Sequence, residues 1–515
     1  MGTLNRTEMI AELKSAVIWD VLVIGGGATG LGIALDAASR GFRTLLVEQS
    51  DFAKGTSSRS TKLVHGGVRY LEQGNLSLVM EALKERGILC QNAPHLVSHL
   101  PFLVPNYRWW EGFYYGAGLK VYDLLAGRLG IEKSERLSQE ETLRRIPTLK
   151  PDRLRGGVVY YDGQFDDARL AIALAQTAVD EGAVVVNYTP VIRFIKEKGR
   201  LRGAIVRDEE SGEEVEIFSR TVINATGVFS DSVRRLDGEK RGPIIAPSQG
   251  IHLVFDRSFL PSDTAVMIPK TDDGRVLFFI PWLGHVLMGT TDTPVKQIVL
   301  EPKPLQEEID FLLNHAKRYL TRAPGRDDVL SVFAGLRPLV KKGESKNTAA
   351  LSRNHRIVVA DSGLITIAGG KWTTYRKMAE DAVDRAILVG RLGDSPCRTK
   401  TLRLQGYGKP DSAKDDPGAH RRLHPSLPYS VGDISWAAKQ EMARTLEDAL
   451  ARRTRSLFLN VKASLEIAPE AARIMARELG YDEEWEKRQL AQYTELAKNY
   501  STGGASIRTS SFFST

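Results

Sequence analysis

Short apolar runs and a glycine-rich turn open the chain. Residues 21–24 and 44–47 have the composition of buried parallel strands. Between them, residues 30–39 carry apolar side chains at helical spacing, and Gly41 follows the predicted end of this helix. A helix that returns the chain to a parallel strand makes a βαβ unit. The pattern therefore predicts an α/β fold.

The pattern changes farther along the chain. Helices are predicted at residues 76–90, 168–180, 302–320, 373–388, 435–453 and 468–498. Buried strands are predicted at residues 183–187, 221–225, 357–360 and 364–368. Short β-rich runs between turn residues indicate an antiparallel sheet over residues 244–292. A Gly/Pro/Asp-rich linker at residues 406–422 separates this part from the last helices.

The turn after the first strand, Gly25-Gly26-Gly27-Ala28-Thr29-Gly30, fits G-x-G-x-x-G. In this motif the first glycine permits a tight turn, the second lets a pyrophosphate approach the backbone, and the third allows close packing of helix on strand. The pyrophosphate would meet the helix N-terminus. Glu48, followed by Gln49, ends the second strand, where a carboxylate can accept hydrogen bonds from a ribose. The complete unit predicts a dinucleotide site.

Two distant segments bear on which dinucleotide binds. Residues 221–227 (T-V-I-N-A-T-G) and 360–371 (A-D-S-G-L-I-T-I-A-G-G-K) are strands that run into glycine turns. A cofactor held by both ends of a chain suits an FAD-binding domain that a substrate domain interrupts. The motif alone does not separate FAD from NAD, and the position of these segments favours FAD.

Composition adds few constraints. Lysine and arginine total 71 against 63 acidic residues, a formal net charge of +8, which suits anionic lipid, nucleic acid or phosphorylated substrates. Cys90 and Cys397 form no disulfide framework, and residues 1–15 lack the apolar core of a signal peptide. We therefore expect a cytoplasmic protein.

Several segments together resemble the FAD-dependent, quinone-linked glycerol-3-phosphate dehydrogenases of the DAO-type flavoprotein superfamily. They are S-S-R-S-T-K-L-V-H-G-G-V-R-Y-L-E at residues 57–72, G-T-T-D at 289–292, A-G-L-R-P-L at 334–339 and A-G-G-K-W-T-T-Y-R-K-M-A-E at 368–380. The resemblance covers residues 17–390 closely and extends to residues 441–455. The linker at residues 402–423 departs from it, because it is shorter than the helical stretch expected there.

The resemblance implies a Rossmann-like FAD-binding domain interleaved with an antiparallel-sheet substrate domain, and a C-terminal all-helical domain. The FAD-binding domain is expected at residues 17–105, 150–240 and 355–390, and the substrate domain at 106–149 and 241–354. The helical domain is expected at 400–498, followed by a disordered tail at 499–515. The implied reaction moves a hydride from C2 of glycerol 3-phosphate to flavin N5.

Arg69 and Arg337 lie inside these motifs, and Arg353 follows Arg337 by 16 residues in L-S-R-N. Guanidinium forks bind phosphate oxygens well. We assign Arg69 and Arg353 to the substrate phosphate, with a further contact from Tyr70, and Arg337 to the C1 and C2 oxygens. Any single arginine could instead make a structural ion pair.

The reaction also needs a base for the hydroxyl proton, and histidine is the natural type. His252 and His65 lie in motifs. We favour His252 as the base and place His65 beside the flavin, although a purely structural histidine is the alternative for both.

Lys371 is expected to stabilise negative charge on the reduced flavin. The alternatives are a substrate phosphate contact for Lys371, and helix capping for Thr373 and Thr374. The expected cofactor-binding residues are Gly25, Gly27, Ala28, Thr29, Gly30, Glu48, Gln49, Thr56, Ser57, Ser58, Lys62, Leu63, Val191, Ala225, Thr226, Gly227, Gly370, Lys371, Trp372 and Thr373. No cluster has metal-ligand spacing, so no metal is expected.

Residues 107–130 are aromatic, basic and amphipathic. Trp109, Trp110 and Phe113 lie near Arg108 and Lys120, a combination that favours the lipid headgroup boundary. A quinone acceptor is dissolved in the membrane, so we expect peripheral binding to the anionic inner face of the cell membrane. The alternative is that these aromatics fill a core between domains.

Other functions remain as competing hypotheses. A glycerol-3-phosphate oxidase would pass electrons to O₂ and release H₂O₂. An RNA-binding flavoprotein is disfavoured, because the arginines are scattered rather than clustered with aromatics. A non-catalytic flavin scaffold is disfavoured by the three motif arginines. The sequence does not determine the oligomeric state, and a homodimer is one alternative.

Overall fold

The computed structural model describes residues 3–68, 71, 75–238, 240, 242–271, 274–341, 355–407 and 417–503. These residues form two β-sheets and a C-terminal group of helices. The α-helices are α1 (Arg6–Leu13), α2 (Ala28–Ser39), α3 (Leu76–Asn92), α4 (Glu111–Ala126), α5 (Gln139–Arg145), α6 (Asp167–Asp180), α7 (Ser230–Leu236), α8 (Gln306–Tyr319), α9 (Tyr375–Gly390), α10 (Val431–Gln440), α11 (Ser456–Leu459), α12 (Val461–Leu479) and α13 (Glu483–Ala497).

The strands alternate with these helices in the first half of the chain and dominate its middle. They are β1 (Trp19–Ile24), β2 (Thr44–Val47), β3 (Leu63–Val64), β4 (Val97–Asn106), β5 (Glu135–Leu137), β6 (Gly156–Phe165), β7 (Val184–Val186), β8 (Val191–Glu197), β9 (Arg200–Arg207), β10 (Glu214–Asn224), β11 (Ile245–Asp256), β12 (Ala265–Ile268), β13 (Leu277–Trp282), β14 (His285–Gly289), β15 (Thr293–Pro294), β16 (Val329–Val340), β17 (Arg356–Val359) and β18 (Ile365–Ala368).

The first sheet is built on parallel strands, and its βαβ unit is the predicted one. β1 lies between β10 and β2, with β7 beyond β2 and β18 beside β10. The side chains of β1 and β2 are almost all buried, because α2, α6 and α9 pack together on this sheet. The sequence predicts only residues 221–225 of β10. The strand begins earlier, at Glu214, because its first half pairs with β9.

The second sheet is largely antiparallel. Its strands follow the order β15–β11–β14–β13–β12–β4–β6–β3, with β16 paired to β11 and β5 paired to β6. β4 and β6 lie in this sheet, although the sequence assigns residues 97–105 and 150–165 to the FAD-binding domain. The boundary between the two sheets therefore does not follow the predicted domain limits, because β4 pairs with β6 in the second sheet.

The C-terminal helices share a hydrophobic core with the second sheet, in which Trp282 and Phe333 are buried with Leu450 and Phe458. The predicted helix at 435–453 is interrupted. It ends at Gln440, and a helical turn, Asp448–Arg453, follows after a left-handed residue at position 442.

Two more differences from the prediction lie near the C-terminus. Residues 468–498 fall in two helices, because Gly480 adopts a left-handed conformation after α12. Tyr500, expected in a disordered tail, is 2% exposed and donates a hydrogen bond to Glu301 over 2.9 Å. Residues 504–515 of the predicted tail lie outside the described residues.

The turn between β1 and α2 requires its glycines. Gly25 has a φ of +109°, and a Cβ added there would lie 2.9 Å from the carbonyl oxygen of Ala225. Gly30 lies in the first turn of α2, where an added Cβ would lie 1.8 Å from the carbonyl oxygen of Gly25. The helix can therefore approach the strand only because position 30 has no side chain.

We predict that Gly30→Ala displaces the N-terminus of α2 and yields protein that purifies with little of the expected flavin. The measurement is the ratio of flavin to protein absorbance after purification. Gly118→Ala is the matched control, since it adds the same methyl group to a helix where nothing lies within 4 Å. Full flavin content in Gly30→Ala would contradict the role of this turn.

Candidate active site

A cavity of about 580 Å³ lies between the glycine turn and the β11–β16 pair. Its walls come from distant parts of the chain: the end of β1, residues 53–65, the end of β10, and residues 335–339 and 367–373. Most of the predicted site residues line it. They are Gly25, Gly27, Ala28, Thr29, Glu48, Gln49, Thr56, Ser57, Leu63, Val191, Ala225, Thr226, Gly227, His252, Arg337, Gly370, Lys371, Trp372 and Thr373, together with His65.

The structure differs from the prediction at three cofactor residues. Gly30 lies under the turn rather than in the cavity wall. Ser58 and Lys62 are buried away from the cavity, because the Lys62 ammonium donates to Asp167 Oδ2 over 2.7 Å and to the Ser58 carbonyl over 2.8 Å. Burial lowers the pKa of Lys62 to about 7, against the opposing charge of Asp167. Lys62 thus stabilises the loop at residues 58–62 from its buried side and does not contact the cavity.

The predicted substrate residues Arg69, Tyr70 and Arg353 lie outside the described residues. Their assignment to the substrate stays a prediction.

At the end of the cavity near the glycine turn, side chains stabilise the backbone by hydrogen bonds to its amides. Glu48 accepts from the amides of Gly26 and Ser50 over 2.6 and 2.9 Å, and burial raises the pKa of this carboxyl. Ser57 Oγ accepts from the Ala28 amide at the start of α2, 2.9 Å away. A carboxylate at the end of β2, a helix N-terminus and a turn without Cβ atoms are the features that bind a dinucleotide. These residues therefore fit FAD.

Residues 369–373 form the opposite wall. Gly370 has a φ of +79°, and a Cβ there would lie 2.2 Å from Met378 Sδ, so this position also requires glycine. Trp372 Nε1 donates to the Ser57 carbonyl over 2.8 Å, which ties this wall to the loop at residue 57. Thr373 Oγ1 accepts from the His65 amide over 3.2 Å. Thr374 Oγ1 donates to the Lys371 carbonyl over 3.3 Å, as a local cap would.

The strand pair β11–β16 forms the floor at the other end. Its register places Ser248 opposite Arg337, the 250 and 335 glycines opposite each other, and His252 opposite Phe333. Because side chains alternate between the two faces of a strand, Arg337 and His252 lie on the same face. The glycine pair between them leaves space, and a Cβ at position 250 would lie 2.3 Å from the Arg337 guanidinium.

The Arg337 guanidinium is held by the 290–292 segment. It donates to Thr290 Oγ1 and to the Thr291 carbonyl, both over 2.9 Å, and lies 3.3 Å from Asp292 Oδ1. A guanidinium fixed in this way keeps one orientation toward the cavity.

His252 is 2% exposed, and its ring stacks on Phe333 with centroids 5.0 Å apart. Its Nε2 shares a 3.0 Å hydrogen bond with Thr61 Oγ1, and among the described residues Nδ1 has no hydrogen-bond partner. Burial lowers the pKa of His252 well below its usual range, and the charges of Lys62 and Arg337 lower it further. The imidazole is therefore neutral at physiological pH and able to accept a proton.

Sequence reasoning missed several groups that support the site. Thr61 contacts the candidate base, Asp292 contacts Arg337, and Arg59 lines the cavity while it donates to the Ala334 carbonyl over 3.0 Å. All three lie inside the quoted motifs, so the motifs pointed to their importance. Nothing in the sequence pattern indicates which side chain each would contact. Within the described ranges no group of three or more His, Cys, Asp or Glu residues could hold a metal ion.

Comparisons with known proteins agree with this geometry. Residues 20–376 match the family model of FAD dependent oxidoreductases (DAO), and residues 397–486 match the C-terminal domain of alpha-glycerophosphate oxidase. The mitochondrial glycerol-3-phosphate dehydrogenase of Mus musculus is 41% identical over 96% of this chain and 75% of its own length. That of Arabidopsis thaliana is 40% identical over 96% of this chain and 88% of its own length.

The comparison with solved structures agrees with the family matches. The crystal structure of the Bacillus halodurans glycerol-3-phosphate dehydrogenase, complexed with FAD, has a TM-score of 0.78 and 33% identity, and covers 97% of this chain and 98% of that one. The L-alpha-glycerophosphate oxidase of Mycoplasma pneumoniae has a TM-score of 0.58 at 18% identity, covering 75% of this chain and 99% of that one, which shows a common fold. The predicted fold class and FAD dependence are confirmed, and the chain belongs to the FAD-dependent glycerol-3-phosphate dehydrogenases.

Proposed function

We propose that this protein oxidises sn-glycerol 3-phosphate to dihydroxyacetone phosphate and passes the electrons to a membrane quinone. One observation carries the proposal. The β11–β16 face places a fixed guanidinium, Arg337, and a neutral buried imidazole, His252, in the wall of the cavity that the glycine turn also borders. An alcohol oxidation needs a base and an oxygen-binding cation together with its redox group.

The residues divide the work between binding and proton transfer. When bound, FAD supplies the acceptor for the hydride that leaves C2, at flavin N5. Arg337 orients the C1 and C2 oxygens, and His252 takes the proton of the C2 hydroxyl as the carbonyl forms. Lys371, in the cavity wall at the glycine pair, places a cation where negative charge develops. Arg69, Tyr70 and Arg353 complete the proposal as the phosphate site.

The proposed quinone acceptor has an alternative, O₂, because an oxidase shares the fold. The relatives of 40–41% identity are dehydrogenases by name, which favours the dehydrogenase.

The test of the reaction is anaerobic mixing of the purified protein with glycerol 3-phosphate. We expect the flavin absorbance to bleach, and glycerol at the same concentration to leave it unchanged, because glycerol lacks the phosphate. No bleaching by glycerol 3-phosphate would overturn the proposal. Stoichiometric H₂O₂ release in air would assign the oxidase instead.

The His252 assignment predicts an unusual pH dependence. A base with a lowered pKa stays unprotonated as the pH falls, so His252 should add no inflection to kcat/KM at the usual histidine pKa of about 6.5. His252→Asn should lower kcat by about 10²–10⁴. The phosphate of the substrate also titrates, with a second pKa of about 6. That inflection should appear in the pH profiles of both the parent enzyme and His252→Asn.

His99→Gln is the matched control, since this histidine lies exposed in β4, and its profile should follow the parent. An inflection at or above pH 6.5 that His252→Asn alone removes would contradict the neutral buried imidazole.

We also propose that helix α4 and the residues before it dock on an anionic membrane surface. Trp109 is 76% exposed, Phe113 66% and Leu124 80%, so these side chains do not fill a core between domains. Arg108 and Lys120 are exposed beside them, and Arg136 stacks on Phe113 at 4.5 Å. Exposed aromatics flanked by cations suit the headgroup region of a bilayer.

The apolar side chains of residues 107–130 do not form one continuous stripe. Leu119, Tyr122 and Ala126 face inward and are buried, whereas Trp109 and Phe113 face outward. Helix α4 therefore has two apolar faces with different partners, and the outward one is the proposed membrane face. In the described part of the chain, no helix is long and apolar enough to cross a bilayer. The animal and plant relatives are named mitochondrial, so the inner face of the cell membrane stays a proposal for this chain.

Replacing Trp109, Trp110 and Phe113 by serine should abolish cosedimentation with anionic vesicles and leave flavin content intact. The matched control replaces three other exposed apolar residues, Phe218, Leu236 and Leu388, by serine. If the first variant still pellets with vesicles as well as the parent does, the membrane face lies elsewhere.

A further inference from the structure

The C-terminal helical domain contacts a turn that borders the FAD cavity. Asp51, at the start of this turn, is fully buried. Arg453 donates to its two carboxylate oxygens over 2.6 and 2.8 Å, and Arg452 Nε donates to Oδ2 over 2.5 Å. Both arginines come from the helical turn that ends at residue 453, some four hundred positions later in the chain. The charge of the buried Asp51 carboxylate is thus neutralised by two arginines of the C-terminal domain.

Cations and carboxyl groups alternate around Asp51, where burial and the Asp51 charge raise the pKa of Asp448. Arg452 also donates to Glu447 over 2.7 Å and to Asp448 over 2.6 Å, and Lys54, at the end of the turn, donates to Glu447 over 2.7 Å. Burial alone would raise the pKa values of Asp51 and Glu447, but the neighbouring cations hold both at about 2. Both carboxyls are therefore ionised at neutral pH, and each cation has an anionic partner.

The 51–54 turn contacts the glycine loop at residues 25–30. The Ala53 amide donates to the Gly26 carbonyl over 2.9 Å. Phe52 packs on the same glycine, since a Cβ at position 26 would lie 2.8 Å from the Phe52 ring. Ala53 and Lys54 line the cavity itself. A continuous path of contacts therefore runs from Arg453 through Asp51 to the pyrophosphate-binding turn.

We propose that Arg452 and Arg453 are positioning residues for the cofactor, so that the C-terminal domain retains FAD by holding the 51–54 turn against the glycine loop. The inference rests on the FAD site of the proposed function but not on its substrate. Neither arginine lines the cavity. Breaking the cluster should therefore weaken FAD binding while the chemistry of the flavin-loaded enzyme is preserved.

The test compares FAD affinity in full-length variants. Apoprotein of Arg453→Gln, titrated with FAD by flavin fluorescence, should show a Kd about tenfold above the parent, because FAD binding would then have to order the 51–54 turn. At saturating FAD, its KM for glycerol 3-phosphate should equal that of the parent. Arg453→Lys, which keeps the charge, should recover part of the affinity.

Two controls separate cofactor retention from domain packing. Glu210→Gln breaks another ion pair to the C-terminal domain, in which Glu210, on the loop after β9, accepts from Arg444 over 2.7 and 2.9 Å. It should lower the unfolding temperature and leave the FAD Kd unchanged. Arg473→Gln, on the exposed face of α12, should change neither.

An unchanged FAD Kd in Arg453→Gln would overturn the proposal, and so would an equal rise in Glu210→Gln, which would assign the effect to domain packing in general. If Arg453→Gln does not fold, Glu447→Gln replaces it, because that change keeps the side-chain shape and removes one charge at the edge of the cluster. It should raise the Kd in the same direction, and an unchanged value would also refute the proposal. Because FAD binding is measured without substrate, these results do not depend on which alcohol the enzyme oxidises.

Discussion

The register between β11 and β16 is the constraint on which the active site depends. Twelve-residue strands pair so that Arg337 and His252 share one face with a pair of glycines between them. A slip of one residue between the two strands would place Arg337 and His252 on opposite faces of the sheet. The glycines matter as much as the charged groups, because the guanidinium lies where a Cβ at position 250 would be. The residues proposed for substrate binding and for proton transfer thus lie on one strand pair.

Burial of charge is the second organising feature. His252 stacks on Phe333, and the Lys62 ammonium lies 5.2 Å from the centroid of the same ring. Lys62 is held by Asp167, which also lies 3.4 Å from Arg455 of the C-terminal domain. Burial is the main cause of the lowered pKa of His252, and the Lys62 charge that lowers it further is held by residues of other segments. In a medium of low polarity such charges act strongly on one another, and each requires a partner.

Helix α4 has two apolar faces, one buried and one exposed. Its inward side buries Tyr122, whose hydroxyl donates to Asp162 over 2.8 Å, and Asp162 also accepts from Arg86 over 2.7 Å. Its outward side leaves large apolar groups in contact with solvent. An amphipathic helix normally has one apolar face. A second one indicates a partner, and a lipid surface is the partner that the flanking cations favour.

The sequence by itself determined the local units of this protein. The strand–turn–helix at residues 21–39 and the glycines at positions 25 and 30 followed from spacing and residue type, because backbone conformation depends on neighbours in the chain. The other motifs were indicated by their resemblance to a family. Tertiary structure alone decided which distant groups meet. The pairing of β4 with β6, the burial of Lys62 against Asp167, and the ion pair of Asp51 with Arg453 join segments about fifty to four hundred residues apart. A one-dimensional pattern records that such residues are polar or apolar, but only the packed fold determines the partner that compensates each buried charge.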